Sequence, residues 1–387
     1  MSTPLNRDPV ALSQTLIRCP SITPLEGGAL DALQAYLEDL GFACQRLVFS
    51  QEDTPDVDNL YARIGEAAPN FCFAGHTDVV PIGNIDDWSI DPFAAEIKDG
   101  ILYGRGASDM KCAIAAFAVA AARFLDAHEG KIPGSISFLI TGDEEGPAHN
   151  GTKKVLNWLK EQGEVLDHCL VGEPTSAAQI GDMVKIGRRG SMGARIEVYG
   201  TQGHSAYQDL ADNPIPRLLD FLQAVNNEVL DEGTEHFPKS NLEITTVDVG
   251  NAATNIIPAT ATAGLNIRFN DRHTGDSLSA FLQQRRLELA GDSDMTITVS
   301  GEAFLTPPGL LSDVISTAIR DVVDVEAQLS TTGGTSDARF IKDHCPIAEF
   351  GMLNATAHKV DEHVSVDEIN MLTDIYQAVL DGYFGAP

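Results

Sequence analysis

The sequence predicts an α/β protein: a mixed, largely parallel sheet flanked by helices, with a smaller α+β domain inserted into it. In the first half of the chain, short runs that are apolar almost throughout alternate with helix-like segments. This is typical of strands buried on both faces of such a sheet. From about Val184 the order becomes strand, helix, two strands, helix, strand. That order matches the split βαβ sandwich, which leaves one sheet face exposed.

Apolar runs and helical periodicity place the elements along the chain. In the outer domain, strands are expected at 71–74, 135–140, 169–171 and 347–350, and helices at 9–18, 29–40, 111–125 and 311–322. In the inserted domain, strands are expected at 194–198, 242–249, 261–268 and 296–299, and helices at 214–228 and 277–289. The predicted domains are 1–183 together with 301–387, and 184–300.

Length and composition indicate a folded chain of two domains. Its 387 residues exceed one ordinary domain of roughly 100–200 residues, and the 43% hydrophobic and 21% charged residues are a globular balance. The formal charge of -30 excludes a nucleic-acid partner, because a phosphate backbone is bound by a basic face. A small anionic substrate is compatible with this charge, since a few local arginines can bind it.

The cysteines and the apolar segments bear on the cellular compartment. Six cysteines lie singly and far apart, mostly in apolar runs, and are interpreted as buried thiols rather than as a disulfide framework. Residues 1–9 are polar and lack the apolar core of a signal peptide. The longest apolar stretch, 112–122, is too short to cross about 30 Å of hydrocarbon. A soluble cytoplasmic protein without a membrane partner is expected.

Two polar residues that can serve a metal site follow the first predicted strand. His76 and Asp78 are spaced by two, which puts both side chains on the same side of an extended backbone. A zinc-bound imidazole usually donates its other N–H to a fixed acceptor, which Asp78 could supply. Alternatively, the Asp78 carboxylate acts on other groups. A capping or loop pair would give the same two residues.

Further acidic residues stand at the ends of predicted elements. Asp109 precedes the alanine-rich helix, where a carboxylate stabilised by the helix dipole is the alternative interpretation. Glu144 and Glu145 follow the second strand, and Glu173 follows the third. The diverging side chains of Glu144 and Glu145 suit a division of labour, in which one binds metal and the other takes a proton from water. A solvated acidic turn is the alternative for this pair.

The shared position of these residues favours the metal interpretation. Ligands of open α/β sheets gather beyond the carboxyl ends of the strands. Asp109, Glu145 and Glu173 carry three negative charges, and a hydroxide adds a fourth, which balances two Zn²⁺ ions. Two ions about 3.5 to 4 Å apart are a recognised way to activate one water. The sequence therefore predicts a two-zinc site.

Five segments together resemble the metal-site segments of a known family, and the resemblance extends over the whole chain. They are, in order, GHTDVVP at 75–81, GRG at 104–106, DMK at 109–111, DEEG at 143–146 and GEP at 172–174. The family is that of the dinuclear zinc deacylases and exopeptidases. Membership implies hydrolysis of an amide or peptide bond in the outer domain.

The resemblance also implies the cofactor and its ligands. Two Zn²⁺ ions per subunit are expected, and Co²⁺ is expected to be able to substitute. The carboxylate of Asp109 would bridge the two ions. His76 with Glu173 would complete one site, and Glu145 with His358 would complete the other.

The remaining groups near the metals are assigned from the same resemblance. Glu144 would act as the base on the attacking water, with Asp78 in a supporting catalytic role. Two histidines compete for the last ligand position, and the family pattern places that ligand before an Asp-Glu pair, which selects His358 over His363. The chain departs from the pattern at Cys112, where glycine is common; a small helical residue is the simplest explanation.

The inserted domain of this family forms the dimer in many members and caps the active site. The resemblance therefore implies a homodimer in which His204 reaches the partner subunit's active site. There an imidazole N–H can stabilise the oxyanion of a tetrahedral intermediate. Asn255 would come across the same interface.

The resemblance also covers four further segments, at 185–191, 255–258, 266–269 and 333–340, and through them it implies one particular reaction within the family. It is hydrolysis of N-succinyl-LL-2,6-diaminopimelate to succinate and LL-2,6-diaminopimelate. The small anionic N-acyl substrate would be held by charge-assisted bonds to cationic side chains and by polar neighbours. These expected substrate-binding residues are Lys185, Arg188, Tyr207, Asn255, Arg268, Gly334, Thr335 and Ser336.

Two alternatives stay open at this point. One is a related N-acyl-amino-acid deacylase or dipeptidase, with the same metals and a different pocket. The other is a non-catalytic peptide-binding relative that keeps the fold. Comparing the rates of hydrolysis of several acyl amides would distinguish the expected reaction from that of a related deacylase or dipeptidase. Zinc binding without hydrolysis of any of them would indicate the non-catalytic relative.

Overall fold

A computed structural model of the chain describes residues 7–385. The six helices predicted from the sequence begin and end at residues close to those expected. None of the helices in this range has the length and apolar character needed to cross a membrane. In chain order they are α1 (Pro9–Ile17), α2 (Ala29–Asp39), α3 (Cys112–Ala127), α4 (Thr152–Gln162), α5 (Pro214–Asn226), α6 (Gly275–Leu289), α7 (Leu310–Val323), α8 (Ala338–Ile341) and α9 (Val366–Phe384).

The strands of the described residues belong to one large sheet, one four-stranded sheet and several short pairings. In chain order they are β1 (Ala43–Gln51), β2 (Thr54–Ile64), β3 (Asn70–His76), β4 (Ile97–Lys98), β5 (Ile101–Tyr103), β6 (Ser135–Thr141), β7 (His168–Val171), β8 (Met183–Lys185), β9 (Gly187–Arg188), β10 (Gly190–Tyr199), β11 (Gly203–His204), β12 (Asn241–Asp248), β13 (Ile256–Ile257), β14 (Thr260–Phe269), β15 (Ser293–Gly301), β16 (Phe304–Leu305), β17 (Gln328–Ser330), β18 (Ile347–Glu349) and β19 (His363–Ser365).

The chain forms two compact units. One consists of Gly187–Leu305 together with Thr331–Thr335, and the rest of the described chain forms the other. The boundaries predicted from the sequence for the inserted part were 184 and 300. The short return segment Thr331–Thr335 was not predicted, and it includes two of the expected substrate-binding residues.

The first unit is built on an eight-stranded sheet in the order β1-β2-β6-β3-β7-β18-β8-β17. The central neighbours β6, β3, β7 and β18 run parallel, whereas β1, β2 and β6 pair antiparallel. Every residue of β3 and β6 is buried, which explains their continuous apolar sequences. The predicted mixed, largely parallel sheet flanked by helices is confirmed. Its parallel centre brings the carboxyl ends of β3, β6 and β7 to one edge.

The alanine-rich segment forms α3, which is buried over nearly its whole surface. Small side chains let such a helix pack closely, and alanine has the highest helix propensity. Phe117 of α3 stacks on Phe73 of β3 with ring centroids 4.4 Å apart, and both meet Tyr376 of α9. This aromatic cluster fixes α3 and α9 against β3, whose last residue is His76.

The second unit has a four-stranded antiparallel sheet in the order β12-β14-β10-β15. The chain order of strand, helix, two strands, helix, strand is confirmed by β10, α5, β12, β14, α6 and β15. Alternate residues of β14 are buried, as expected when helices cover one face of a sheet. Buried Phe221, Leu278 and Leu282 of the helices join that core.

Several strands and helices of the first unit were not predicted, among them β1, β2 and α4. Strand β1 at Ala43–Gln51 is an edge strand with no fully buried residue, and its mixed sequence gives no apolar run. Strand β2 lies between β1 and β6, but the polar residues at its exposed start interrupt its apolar pattern. The thiols also differ from the prediction, because Cys19 and Cys44 are only half-buried, whereas the other four are buried. All six are free, as expected.

Candidate metal centre and active site

The predicted metal-binding residues of the first unit lie at the carboxyl ends of its parallel strands. His76 is the last residue of β3, and Glu173 follows β7 by two positions. Glu144 and Glu145 follow β6. These strands are parallel neighbours, so residues that are far apart in sequence meet at one edge of the sheet. Asp109 joins them from an irregular turn just before α3.

The carboxylate of Asp109 lies between two histidines. Its Oδ1 is 3.1 Å from Nε2 of His76, and its Oδ2 is 3.2 Å from Nε2 of His358. Glu173 Oε1 is 3.8 Å from Nε2 of His76. Glu145 Oε1 is 2.8 Å from Nε2 of His358. Each oxygen of Asp109 therefore faces one histidine, and each histidine also faces one glutamate.

Two overlapping groups of possible ligand atoms stand out within residues 7–385. The atoms of His76, Asp109 and Glu145 lie within 4.8 Å of one another, and so do those of His76, Glu144 and Glu173. Imidazole nitrogens and carboxylate oxygens are donors that zinc accepts. The donor set thus fits a centre of two divalent cations. Glu144, expected as the base, is within reach of the same ligand atoms.

The electrostatics of the cluster indicate a need for positive charge. Hydrogen bonds to Asp109 and then Glu145 raise the pKa of His358 to about 10. Burial opposes protonation of His76, yet its hydrogen bond to Asp109 and the surrounding carboxylates raise its pKa well above the ordinary value. Burial, and then the charge of Asp109, raise the pKa of Glu173 well above its usual range. Cations bound at this centre would replace those imidazole protons.

The contacts of Asp78 fit both of the roles left open for it. The Nδ1 atom of His76 lies 2.9 Å from the backbone carbonyl of Asp78, which can accept its proton and so direct Nε2 towards Asp109. The carboxylate of Asp78 instead accepts the backbone N–H groups of Glu144 at 3.3 Å and Glu145 at 3.0 Å. Asp78 is 1% exposed. Its side chain therefore holds the turn that carries both glutamates.

Replacing Asp78 by alanine should lower kcat/KM by about 10- to 100-fold, the usual cost of losing a group that orients metal ligands. The two backbone N–H groups of the Glu144 and Glu145 turn would lose their acceptor. Steady-state kinetics and zinc stoichiometry check this together. An Asp78→Asn variant, which keeps one acceptor oxygen, should lose less. Unchanged kinetics in the alanine variant would contradict the role.

Close packing of neighbouring side chains explains the glycines that precede two of the ligands. A Cβ atom at Gly75 would lie 2.4 Å from Cε of Met110, and one at Gly172 would lie 2.4 Å from Phe73 and 2.8 Å from the same methyl group. The Sδ atom of Met110 is also 3.4 Å from the backbone N–H of His76. Met110 thus packs behind the ligands, and a larger residue at either glycine would force neighbouring side chains to shift.

The cationic residues expected to bind substrate are divided between the two units. Lys185 of the first unit is 5% exposed, and its Nζ lies 3.2 Å from Oγ of Ser330. In the second unit, Arg188 is 8% exposed and donates from Nη1 to the carbonyl of Gly334 at 3.1 Å. Arg268 lies on β14 in register with Ser191 of β10.

The other expected substrate residues also fall in both units. Gly334 and Thr335 belong to the return segment of the second unit, whereas Ser336 begins the next stretch of the first. Tyr207 is 63% exposed and Asn255 is also exposed, both within the second unit.

His204 is exposed on β11 of the second unit. Its Nδ1 accepts the backbone N–H of Ala206 at 3.0 Å. In the neutral ring this contact leaves the proton on Nε2, which makes Nε2–H the donor. The imidazole is therefore prepared to donate a hydrogen bond away from its own loop.

Two buried charged residues beside the centre were not predicted. Arg105 is 2% exposed and Glu362 is 0% exposed, and they pair at 2.7 Å. Their signals in the sequence were weak: an arginine between two glycines, and an acid four residues after His358. Of the two histidines that compete for the last ligand position, His358 contacts the Asp109 carboxylate. His363 lies on β19, where it pairs with Tyr103 of β5.

The fold and the cluster agree with comparisons to known proteins. Residues 72–382 match the sequence profile of peptidase family M20/M25/M40. The chain belongs to this family, and it is a hydrolase.

Individual proteins of known name are similar to this chain in sequence or in structure. The chain is 58% identical over 381 residues to the succinyl-diaminopimelate desuccinylase of Parvibaculum lavamentivorans, covering 97% of this chain and 96% of that protein. Among solved structures, it is similar to the aminopeptidase PepT of Bacillus cereus, with a TM-score of 0.78, 20% identity and 98% and 99% of the two chains covered. It is also similar to the YXEP protein of Bacillus subtilis, a dinuclear metal-binding peptidase, with a TM-score of 0.69, 14% identity and 98% of both chains covered. At these identities the structures show the fold.

Proposed function

We propose that the chain hydrolyses N-succinyl-LL-2,6-diaminopimelate to succinate and LL-2,6-diaminopimelate, with two zinc ions held by His76, Asp109, Glu145, Glu173 and His358. The observation that carries the metal centre is the Asp109 carboxylate, each oxygen of which faces a different histidine. The substrate is supported by relatives of that name, one of them 58% identical over 97% of this chain. Cobalt is proposed as a metal that can take the place of zinc.

When bound, the two ions would polarise the scissile carbonyl and make the attacking water more acidic. The carboxylate of Glu144 takes a proton from that water as it attacks the amide carbon. Glu144 then passes the proton to the leaving amine, so a single group serves as base and acid. During both steps the carboxylate of Asp78 accepts the backbone N–H groups of Glu144 and Glu145 and so holds their turn in place.

Recognition of the substrate carboxylates is assigned to Lys185, Arg188 and Arg268. Cationic side chains form charge-assisted, often bidentate bonds with carboxylates. The chain has a formal charge of -30, so an anionic substrate must be bound by local cationic side chains, and these three residues can supply them. Tyr207 and the backbone and hydroxyl groups of residues 334–336 are proposed as further substrate contacts.

The chain is further proposed to act as a homodimer in the cytoplasm. In this arrangement His204 donates from Nε2 to the developing oxyanion in the partner subunit's active site, and Asn255 comes from the same direction. The contact between Nδ1 of His204 and the Ala206 N–H supports this tautomer. Six free thiols suit a reducing compartment.

Initial-rate kinetics of the zinc-loaded protein test the proposal. Three substrates are compared: N-succinyl-LL-2,6-diaminopimelate, N-acetylornithine and an unmodified dipeptide. The kcat/KM for the succinyl substrate should be higher by about 10³-fold or more, because the other two carry fewer carboxylates for the three proposed cationic residues to bind. A higher value for either competitor would assign the chain to a different deacylase or dipeptidase. Zinc binding without turnover of any substrate would indicate a non-catalytic relative.

A further inference from the structure

Glu362 is a buried carboxylate whose hydrogen bonds all lead to the loop that carries Asp109. Its Oε1 accepts the backbone N–H groups of Ser108 at 2.9 Å and Asp109 at 3.1 Å. Its Oε2 accepts the backbone N–H of Gly106 at 3.0 Å and Nη1 of Arg105 at 2.7 Å. A carboxylate offers about four acceptor positions, so these four donors use its capacity.

The same two loops are joined at further points. The backbone N–H of Gly104 donates to the carbonyl of Glu362 at 2.9 Å. Nη1 of Arg105 also donates to the carbonyl of Lys359 at 3.1 Å. Residues 104–109 are thus bound along their length to residues 359–362, which directly follow His358.

The backbone of His358 adds a reason for such support. Its φ is 62°, in the left-handed region that a residue with a side chain holds only when its surroundings fix it. The carbonyl of the next residue, Lys359, is held by Arg105. One buried ion pair therefore reaches the backbone of Asp109 on one side and the backbone next to His358 on the other.

We propose that Glu362 is a positioning residue for the metal centre: with Arg105 it sets the distance between Asp109 and His358. Glu362 itself contributes no ligand, since its oxygens are engaged by the four donors already described. Its effect reaches the ions only through the two loops. This inference rests on the metal ligands assigned under the proposed function.

The test is a Glu362→Gln substitution with zinc binding measured directly, by equilibrium dialysis in zinc buffers without substrate. The glutamine amide cannot accept hydrogen bonds through its NH₂ group, so one pair of donors loses its acceptor. Zinc affinity should fall by about 10- to 100-fold, the range for groups that orient metal ligands. At saturating zinc, kcat should fall while KM changes little, because the substrate-binding residues are elsewhere.

A matched control is Tyr376→Phe, which removes only a hydroxyl and its buried hydrogen bond to the carbonyl of Phe350 and keeps the ring that packs on Phe73 and Phe117. It should leave zinc affinity unchanged. Equal zinc affinity in Glu362→Gln and wild type would overturn the inference, and so would an equal loss in Tyr376→Phe, since general destabilisation would then explain both. If wild type itself binds no zinc, the proposed metal centre fails first.

If the glutamine variant does not fold, a second variant still tests the positioning role of Glu362. Glu362→Asp retains the charge opposite Arg105 but is one methylene shorter, so it cannot satisfy all four donors at once. Its zinc affinity should fall by about tenfold, at the lower end of the same range. Unchanged affinity in the folded aspartate variant would overturn the inference.

Discussion

Replacing Glu144 by glutamine should lower kcat by about 10²- to 10⁴-fold, the usual contribution of a positioned general base. The protein should keep both zinc ions, because the amide has the same shape and the five assigned ligands are untouched. Zinc content by metal analysis and kcat under saturating substrate check the two halves of this expectation. The same substitution at Glu164, which pairs with Arg63 away from the cluster, serves as the control.

The environment of Glu144 is suited to this role. Burial raises its pKa to about 8; the charge of His76 opposes the shift, and the carboxylates of Asp337, Glu145 and Asp109 add to it. Positive charge brought to the centre by metal ions favours the ionised form and lowers this pKa again. The ionised carboxylate can then accept a proton from the attacking water. Near-normal turnover of the glutamine variant would remove Glu144 from the role of base.

Replacing Asp109 by asparagine should reduce activity by about 10³-fold or more and also lower the zinc content. Burial opposes ionisation of Asp109, but its hydrogen bonds with His358 and His76 lower its pKa below the ordinary range, so it is a carboxylate. The substitution removes the charge that faces both histidines. Several kcal/mol of stabilisation by the metals would be lost, and each 1.4 kcal/mol is about tenfold in rate.

Zinc stoichiometry distinguishes this prediction from the one for Glu144. The asparagine variant should bind fewer than two ions per chain, whereas Glu144→Gln should bind two. Asp321→Asn, at an exposed position of α7, controls for the loss of one charge. An Asp109→Asn protein with two tightly bound zinc ions would show that Asp109 is not the shared ligand.

Much of the sheet could be predicted because its central strands are buried on both faces. Strands β3 and β6 are apolar throughout, so their positions were evident from composition. Strand β1 was missed because an edge strand needs no apolar run. Its register depends on pairing with β2, which is a property of the folded chain rather than of either segment.

The site was predictable to a similar degree. His76, Glu145 and Glu173 follow buried strands, and the parallel order of those strands brings them together. The choice between His358 and His363 needed the family resemblance, because the two residues are chemically identical. Glu362 could not be predicted, since its partners are mostly backbone N–H groups, which a sequence does not display.

The second unit is completed by a segment that is synthesised late. Residues 187–305 leave the ribosome well before Thr331–Thr335, and the first unit supplies the chain between them. Synthesis proceeds at about 5–20 residues per second, and domains tend to fold as they emerge. The hydrogen bond from Arg188 to Gly334 must wait for that return segment. An arginine assigned to carboxylate binding therefore acquires this contact only after most of the chain has been made.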